Sequence, residues 1–251
     1  MATSQDNQRV IVEPTAEKAT QFVATLFRSI LCESATARGV CYAALAGGTT
    51  PHALYQMLVS YSYEANEPWG SLEIFFGDER DVPHDHIESN YHMAQRALLD
   101  HVPIDLSRVH PMPADVEDLQ TAAAAYERII RRTVPAEADG DGLPRFDLIL
   151  LGMGGDGHTA SLFPCTPALG ETQKLVAAHF VPVLGRHRMT FTFPLINAAR
   201  NVVLLVTGDD KADAVANLLG PSPDVPAARV APSRGVLYIV LDSAAARKLQ
   251  R

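Results

Sequence analysis

An aspartate and a histidine stand two residues apart in a stretch crowded with glycine, Leu151-Gly152-Met153-Gly154-Gly155-Asp156-Gly157-His158. Histidine titrates near neutral pH and suits the work of a general base, and a neighbouring carboxylate can fix its tautomer and balance its cation. In a turn both side chains can reach one site, although Asp156 could instead bond backbone amides. Gly152, Gly154 and Gly157 also spell G-x-G-x-x-G, the phosphate-binding fingerprint of dinucleotide folds. That fingerprint needs a full helix behind its glycines, so that the pyrophosphate rests on the helix dipole. Only the stretch from His158 to Phe163 precedes Pro164 here, room for about one and a half turns. The spacing therefore favours a catalytic loop over a cofactor loop.

Three other stretches carry candidate chemistry. Gly47-Gly48-Thr49-Thr50-Pro51 reads as a turn into a helix, with Thr50 as its cap and Pro51 in its first turn. Free N–H groups at such a turn attract anions. Taken alone, a phosphate cradle and a plain strand–helix turn remain equally open. Gly77-Asp78-Glu79-Arg80 offers a planar guanidinium for phosphate or carboxylate, against the alternative of a solvated turn. Arg186, Arg188 and Lys211 complete the cations near loop ends. His84 and His86 lack a partner cluster at metal-ligand spacing and read as an exposed loop; no metal site is expected.

The elements that position these residues alternate. Residues 10–12, 40–46, 72–76, 146–151, 180–183, 187–193, 202–206 and 236–241 read as strands. Helical spacing covers 15–37, a stretch from Leu54, one capped by Ser89, 121–134, Asp209 to Leu219 and a last segment after residue 241. Residues 135–145 and 220–235 read as long loops. Such alternation predicts crossover connections and one mostly parallel sheet covered on both faces. In open sheets of this kind ligands sit beyond the carboxyl ends of the strands. GGTTP, GDER, GMGGDGH and TGDDK all follow strands, so the four loops are expected to meet in one crevice.

Composition narrows the partners. The 251 residues are 47% hydrophobic and 20% charged, with net charge −8 and no basic block. That speaks against nucleic-acid or anionic-membrane binding, which needs a basic field. Its start, MATSQDNQRV, is polar, and the longest aliphatic runs are too short to span a bilayer. Cys32, Cys41 and Cys165 form neither a disulfide framework nor a zinc pattern, so a reducing, cytoplasmic setting is expected. One α/β domain over residues 1–251 is the economical reading, as a monomer or a small homo-oligomer.

Five segments together carry a resemblance: 45–58 (LAGGTTPHALYQML), 75–91 (FFGDERDVPHDHIESNY), 146–164 (FDLILLGMGGDGHTASLFP), 188–200 (RMTFTFPLINAAR) and 206–215 (VTGDDKADAV). The chain resembles the glucosamine-6-phosphate isomerase/6-phosphogluconolactonase family. The resemblance implies a three-layer Rossmann-like (NagB-like) α/β fold without a bound nucleotide. It also implies hydrolysis of 6-phospho-D-glucono-1,5-lactone to 6-phosphogluconate, the second step of the oxidative pentose phosphate pathway, with no cofactor. His158 would be the base and Asp156 its neighbour, while Gly47, Gly48, Thr49, Arg80, Arg188 and Lys211 would surround the phosphate and sugar. Asp78 matches the deaminases' catalytic aspartate, and the resemblance gives it no definite duty in a lactonase. In the deaminases the loop reads DGHIAFNEP, with a glutamate that assists ring opening; here TASLFP follows His158 and no acid appears. That departure favours lactone hydrolysis over a deaminase or sugar-phosphate isomerase. A non-catalytic sugar-phosphate sensor is the rival of another class.

Overall fold

Thr15 begins the first helix by accepting a hydrogen bond from Lys18 N at 3.2 Å. Helix α1 (Ala16–Arg38) then buries Ala19, Val23, Phe27, Ile30 and Leu31 along one stripe. Gly39 ends it in the left-handed region, φ 76°, with its N–H on Ala35 O. The computed structural model describes residues 7–62, 68–137 and 141–249. Residues 1–6, part of the polar start, and 138–140, part of the loop expected at 135–145, lie outside it.

Strands β1 (Gln8–Glu13), β2 (Cys41–Leu45), β3 (Leu72–Phe76), β5 (Leu148–Leu151), β8 (Asn201–Val206) and β9 (Val236–Asp242) form one six-stranded sheet. Its order is β1-β9-β8-β5-β2-β3, and every pairing is parallel. β2, β3 and β5 are almost wholly buried, which explains why they read as unbroken apolar runs. The chain steps one way across the sheet from β1 to β3 and then the other way from β5 to β9. Right-handed crossovers therefore place α1 and α2 (Thr49–Ser62), which pack against each other, on one face. The expected α/β architecture, a mostly parallel sheet between helical layers, is the one observed.

A second sheet was not foreseen. β4 (Asp78–Arg80), β6 (Val176–Val181) and β7 (Arg186–Phe191) pair antiparallel in the order β4-β7-β6. GDER is thus a strand rather than a turn: β7 supplies the ladder that three charged residues would not form alone. The strand expected at 180–183 starts earlier, at Val176, and stops at Val181 because Pro182 has no N–H for the ladder.

Helices α3 (Asn90–Ala97), α4 (Leu119–Thr133), α5 (Phe193–Ala198) and α6 (Ala212–Leu218) complete the set. The helix expected from Asp209 divides into a 3-10 turn at Asp209–Lys211 and then α6. After β9 residues 243–249 form turns rather than the expected helix. Asp242, buried there, accepts from Ala245 N at 2.8 Å and Gly208 N at 3.1 Å, and so curls the chain back.

Candidate active site

The sheet's strand order reverses direction between β2 and β5, and the loops after these strands face each other at that switch point, where open α/β sheets bind ligands. A cleft of about 400 Å³ lies there. Gly47, Gly48 and Thr49 line it from the β2 loop, Asp78 and Arg80 from β4, His158 from the β5 loop, Arg188 from β7 and Lys211 beyond β8. The four loops expected to converge do so. Asp156 is not among the lining residues but is in contact with His158.

The β5 loop folds back without any helix. Thr159 Oγ1 donates to Gly152 O at 2.8 Å, Gly154 N to His158 O at 2.9 Å, and Leu162 N to Thr159 O at 2.9 Å. Ala160 takes a left-handed φ of 47° to make the reversal, a conformation that side chains adopt only under constraint. With no helix following the glycines, there is no dipole on which a pyrophosphate could rest.

Asp156 makes both contacts that the sequence left open. Its Oδ1 accepts from His158 Nδ1 at 2.5 Å and from His158 N at 3.1 Å. The imidazole is thereby fixed with Nδ1–H toward the carboxylate, leaving Nε2 as the nitrogen free to act. Burial pushes the Asp156 carboxyl up, but the hydrogen bond and charge of His158 outweigh it, so the group is held below the usual carboxylate range. A depressed carboxyl stabilises the fold above its unfolded pKa of about 3.9 and ceases to do so as pH falls through the lower folded value. Asp156→Asn is expected to lower turnover and the melting temperature at neutral pH. The gap in melting temperature from the wild type should close as pH drops below about 4; a gap independent of pH would show that the carboxylate's charge is not what matters.

Asp78 is buried, and both of its carboxylate oxygens are occupied. Oδ2 accepts from Ser161 Oγ at 2.6 Å and Oδ1 from Asn90 Nδ2 at 3.1 Å. Ser161 is itself fixed, since its N–H donates to Thr190 Oγ1 at 3.1 Å and its O accepts from His179 Nε2 at 2.8 Å. Asn90 lies directly under the β2 loop, where a Cβ on Gly47 would sit 1.7 Å from Asn90 Oδ1. That approach, not a special φ, is why position 47 is glycine. Gly48 does have a positive φ, 103°, which turns the chain into α2. The helix begins at Thr49, one residue before the expected cap; Thr50 falls in its first turn and bonds Thr207 Oγ1 at 3.1 Å. Thr49 and Thr50, whose N–H groups belong to the first turn of the helix and so lack intrahelical acceptors, both line the cleft.

The cations are arranged by the small sheet. Arg80 and Arg188 are direct partners in the β4–β7 register. Like charges placed opposite each other destabilise a ladder. Burial and then the charge of Arg80 push the Arg188 guanidinium below its ordinary pKa. Arg80 Nη1 is held by Glu88 O at 2.5 Å, Arg188 Nη1 by His187 O at 2.8 Å, and Asp81 lies 3.7 Å from Arg188. Lys211 Nζ rests on Asp210 at 2.9 Å. A chain of net charge −8 thus presents three cations and one carboxylate to its cleft. Arg186, by contrast, pairs with Asp81 and Glu88 and is not part of the lining.

Several contributors were missed in the sequence. Glu79 is fully buried and accepts from Arg80 N, Ser89 Oγ, Asn90 N and Tyr91 N, at 2.7 to 3.0 Å. It ties β4 to the start of α3, and burial raises its pKa despite these bonds. Ser161, Asn90 and His179 were also missed, because nothing in their spacing links them to Asp78. His84 is less exposed than expected, with Nε2 on Met112 O at 2.7 Å. Among the described residues no cluster of three His, Cys, Asp or Glu could hold a metal ion, and no helix is long and apolar enough to cross a membrane.

This chain belongs to the family of glucosamine-6-phosphate isomerases and 6-phosphogluconolactonases, whose sequence model matches residues 14–239. It is 40% identical to the 6-phosphogluconolactonase of Synechocystis, over 97% of this chain and 96% of the relative. With that of Mycobacterium tuberculosis it shares 42% identity over 85% of this chain and 87% of the other. The solved 6-phosphogluconolactonase of Trypanosoma brucei superposes with a TM-score of 0.87 at 29% identity, covering 97% of this chain and 99% of that one. A monomeric glucosamine-6-phosphate deaminase, with TM-score 0.79 and 22% identity over 95% of this chain and 99% of the other, shares the fold.

Proposed function

We propose that the cleft is a lactonase site for a phosphorylated sugar acid. The chain hydrolyses 6-phospho-D-glucono-1,5-lactone to 6-phospho-D-gluconate, the second step of the oxidative pentose phosphate pathway. The observation that carries the reading is that the Asp156–His158 pair and the cations Arg80, Arg188 and Lys211 meet at one cleft.

His158 Nε2 takes a proton from water as its oxygen attacks C1. The tetrahedral adduct collapses with cleavage of the bond between C1 and the ring oxygen, and His158 returns the proton to that oxygen as it leaves as a hydroxyl. The new carboxylic acid then ionises to solvent. Asp156 keeps the imidazole in the required tautomer and balances its transient charge. The phosphate, remote from C1, is held by Arg80, Arg188, Lys211 and the N–H groups of the β2 loop, and this binding energy positions the carbonyl. Asp78, with both oxygens already accepting hydrogen bonds, serves as a fixed negative acceptor rather than a proton carrier.

One hydrophobic cluster draws on both sheets, which supports reading the chain as a single domain. Free thiols at Cys32, Cys41 and Cys165 support a cytoplasmic setting. The protein added to freshly made lactone should release acid well above the spontaneous rate and release no ammonia from glucosamine 6-phosphate. Acid release at background would refute the reading, and saturable binding of 6-phosphogluconate without turnover would mark a sensor.

A further inference from the structure

His158 is constrained by more than Asp156. Its ring stacks on Phe163, with centroids 3.9 Å apart and planes inclined by 22°. Phe163 is 6% exposed and lines the same cleft. Gly154 lies against the Cε1–Nδ1 bond of the imidazole, where a Cβ would stand 2.2 Å from each atom. The hydrogen bond through Nδ1 sets the tautomer, but tilting of the ring about its side-chain torsions still displaces Nε2, its far nitrogen. A flat aromatic surface in contact with one face removes that freedom.

We propose that Phe163 and Gly154 form a slot that sets the plane of the His158 imidazole, making Phe163 a positioning residue for the base. The left-handed turn at Ala160 and the Thr159–Leu162 bridge bring Phe163 back to a residue five positions earlier. Leu162, fully buried, anchors the returning segment in the core. Phe163 acts through the histidine, and its contribution is orientation rather than charge.

The inference rests on the lactonase reading, and the test separates the two. Phe163→Leu keeps an apolar side chain and removes the flat ring; Phe163→Tyr keeps the ring. In Phe163→Leu, kcat should fall by about 10- to 100-fold, the scale of a misplaced catalytic group. The Michaelis constant and the affinity for 6-phosphogluconate should stay within about 2-fold, since the phosphate contacts are untouched. Phe163→Tyr should keep kcat near the wild-type value. Proton NMR gives a readout independent of turnover: the stacked phenyl ring should shift the His158 carbon-bound ring protons upfield in the wild type and in Phe163→Tyr, and not in Phe163→Leu. An unchanged kcat in Phe163→Leu, an equal loss in both variants, or a loss of 6-phosphogluconate affinity would overturn the slot. A wild type without lactonase activity that still shows the ring-current shifts would refute the lactonase reading while leaving the stacked geometry in place.

Discussion

His158→Ala is expected to lower turnover of the phosphorylated lactone by roughly 10²–10⁴-fold, the usual scale for losing a general base. The Michaelis constant should move little, because the cations proposed to hold the phosphate, Arg80, Arg188 and Lys211, lie on other elements. Stability at neutral pH should also fall, because the variant loses the pairing with Asp156 and the stacking on Phe163. The residual rate will come from the cleft's power to bind and orient, so it should still exceed the spontaneous reaction. The measurement is initial-rate acid release with uncatalysed hydrolysis subtracted. Turnover equal to that of the wild type would remove His158 from the chemistry.

The second large effect is expected at Arg188→Ala. Hydrogen bonds to charged groups contribute about 1.5–3 kcal/mol each, so the Michaelis constant should rise by about 10- to 100-fold. Affinity for 6-phosphogluconate should fall in parallel. The register pair with Arg80 adds an unusual signature. Removing one of two facing guanidinium groups relieves repulsion in the ligand-free protein, so its melting temperature should hold or rise while ligand binding fails. Ligand that stabilises the wild type by mass action should then shift the variant much less. An unchanged affinity for 6-phosphogluconate would dismiss Arg188 as a phosphate ligand.

Much of this was legible beforehand. FDLILL reads as a buried strand and LEIFF as another strand of a mostly parallel sheet, and the polar loops after them are expected to meet at one edge. Hence the crevice holding His158, Arg80 and Lys211 could be anticipated without coordinates. What was hidden depended on partners distant in sequence. Asp78 to Arg80 reads as a charged turn, and only β7 makes it a strand. Residues 243–249 have helical composition, yet the side chain of Asp242 bends them into turns. The bond from Ser161 to Asp78 joins the loop after β5 to strand β4 of the other sheet, and no local pattern announces it. Phe163 marked only the lack of an acid until its ring was seen against His158.

The arrangement of β9 bears on how the molecule is made. This strand lies between β1 and β8, and among the described residues β1 pairs with no other strand of its sheet. During synthesis β1 therefore waits with its hydrogen-bonding edge open until residues 236–242 have left the ribosome. Such late, long-range closure slows folding and leaves an edge open to wrong pairing in the meantime. Val10 and Val12, still about half exposed in the finished protein, lie on that waiting strand and are apolar side chains that it leaves uncovered in the meantime.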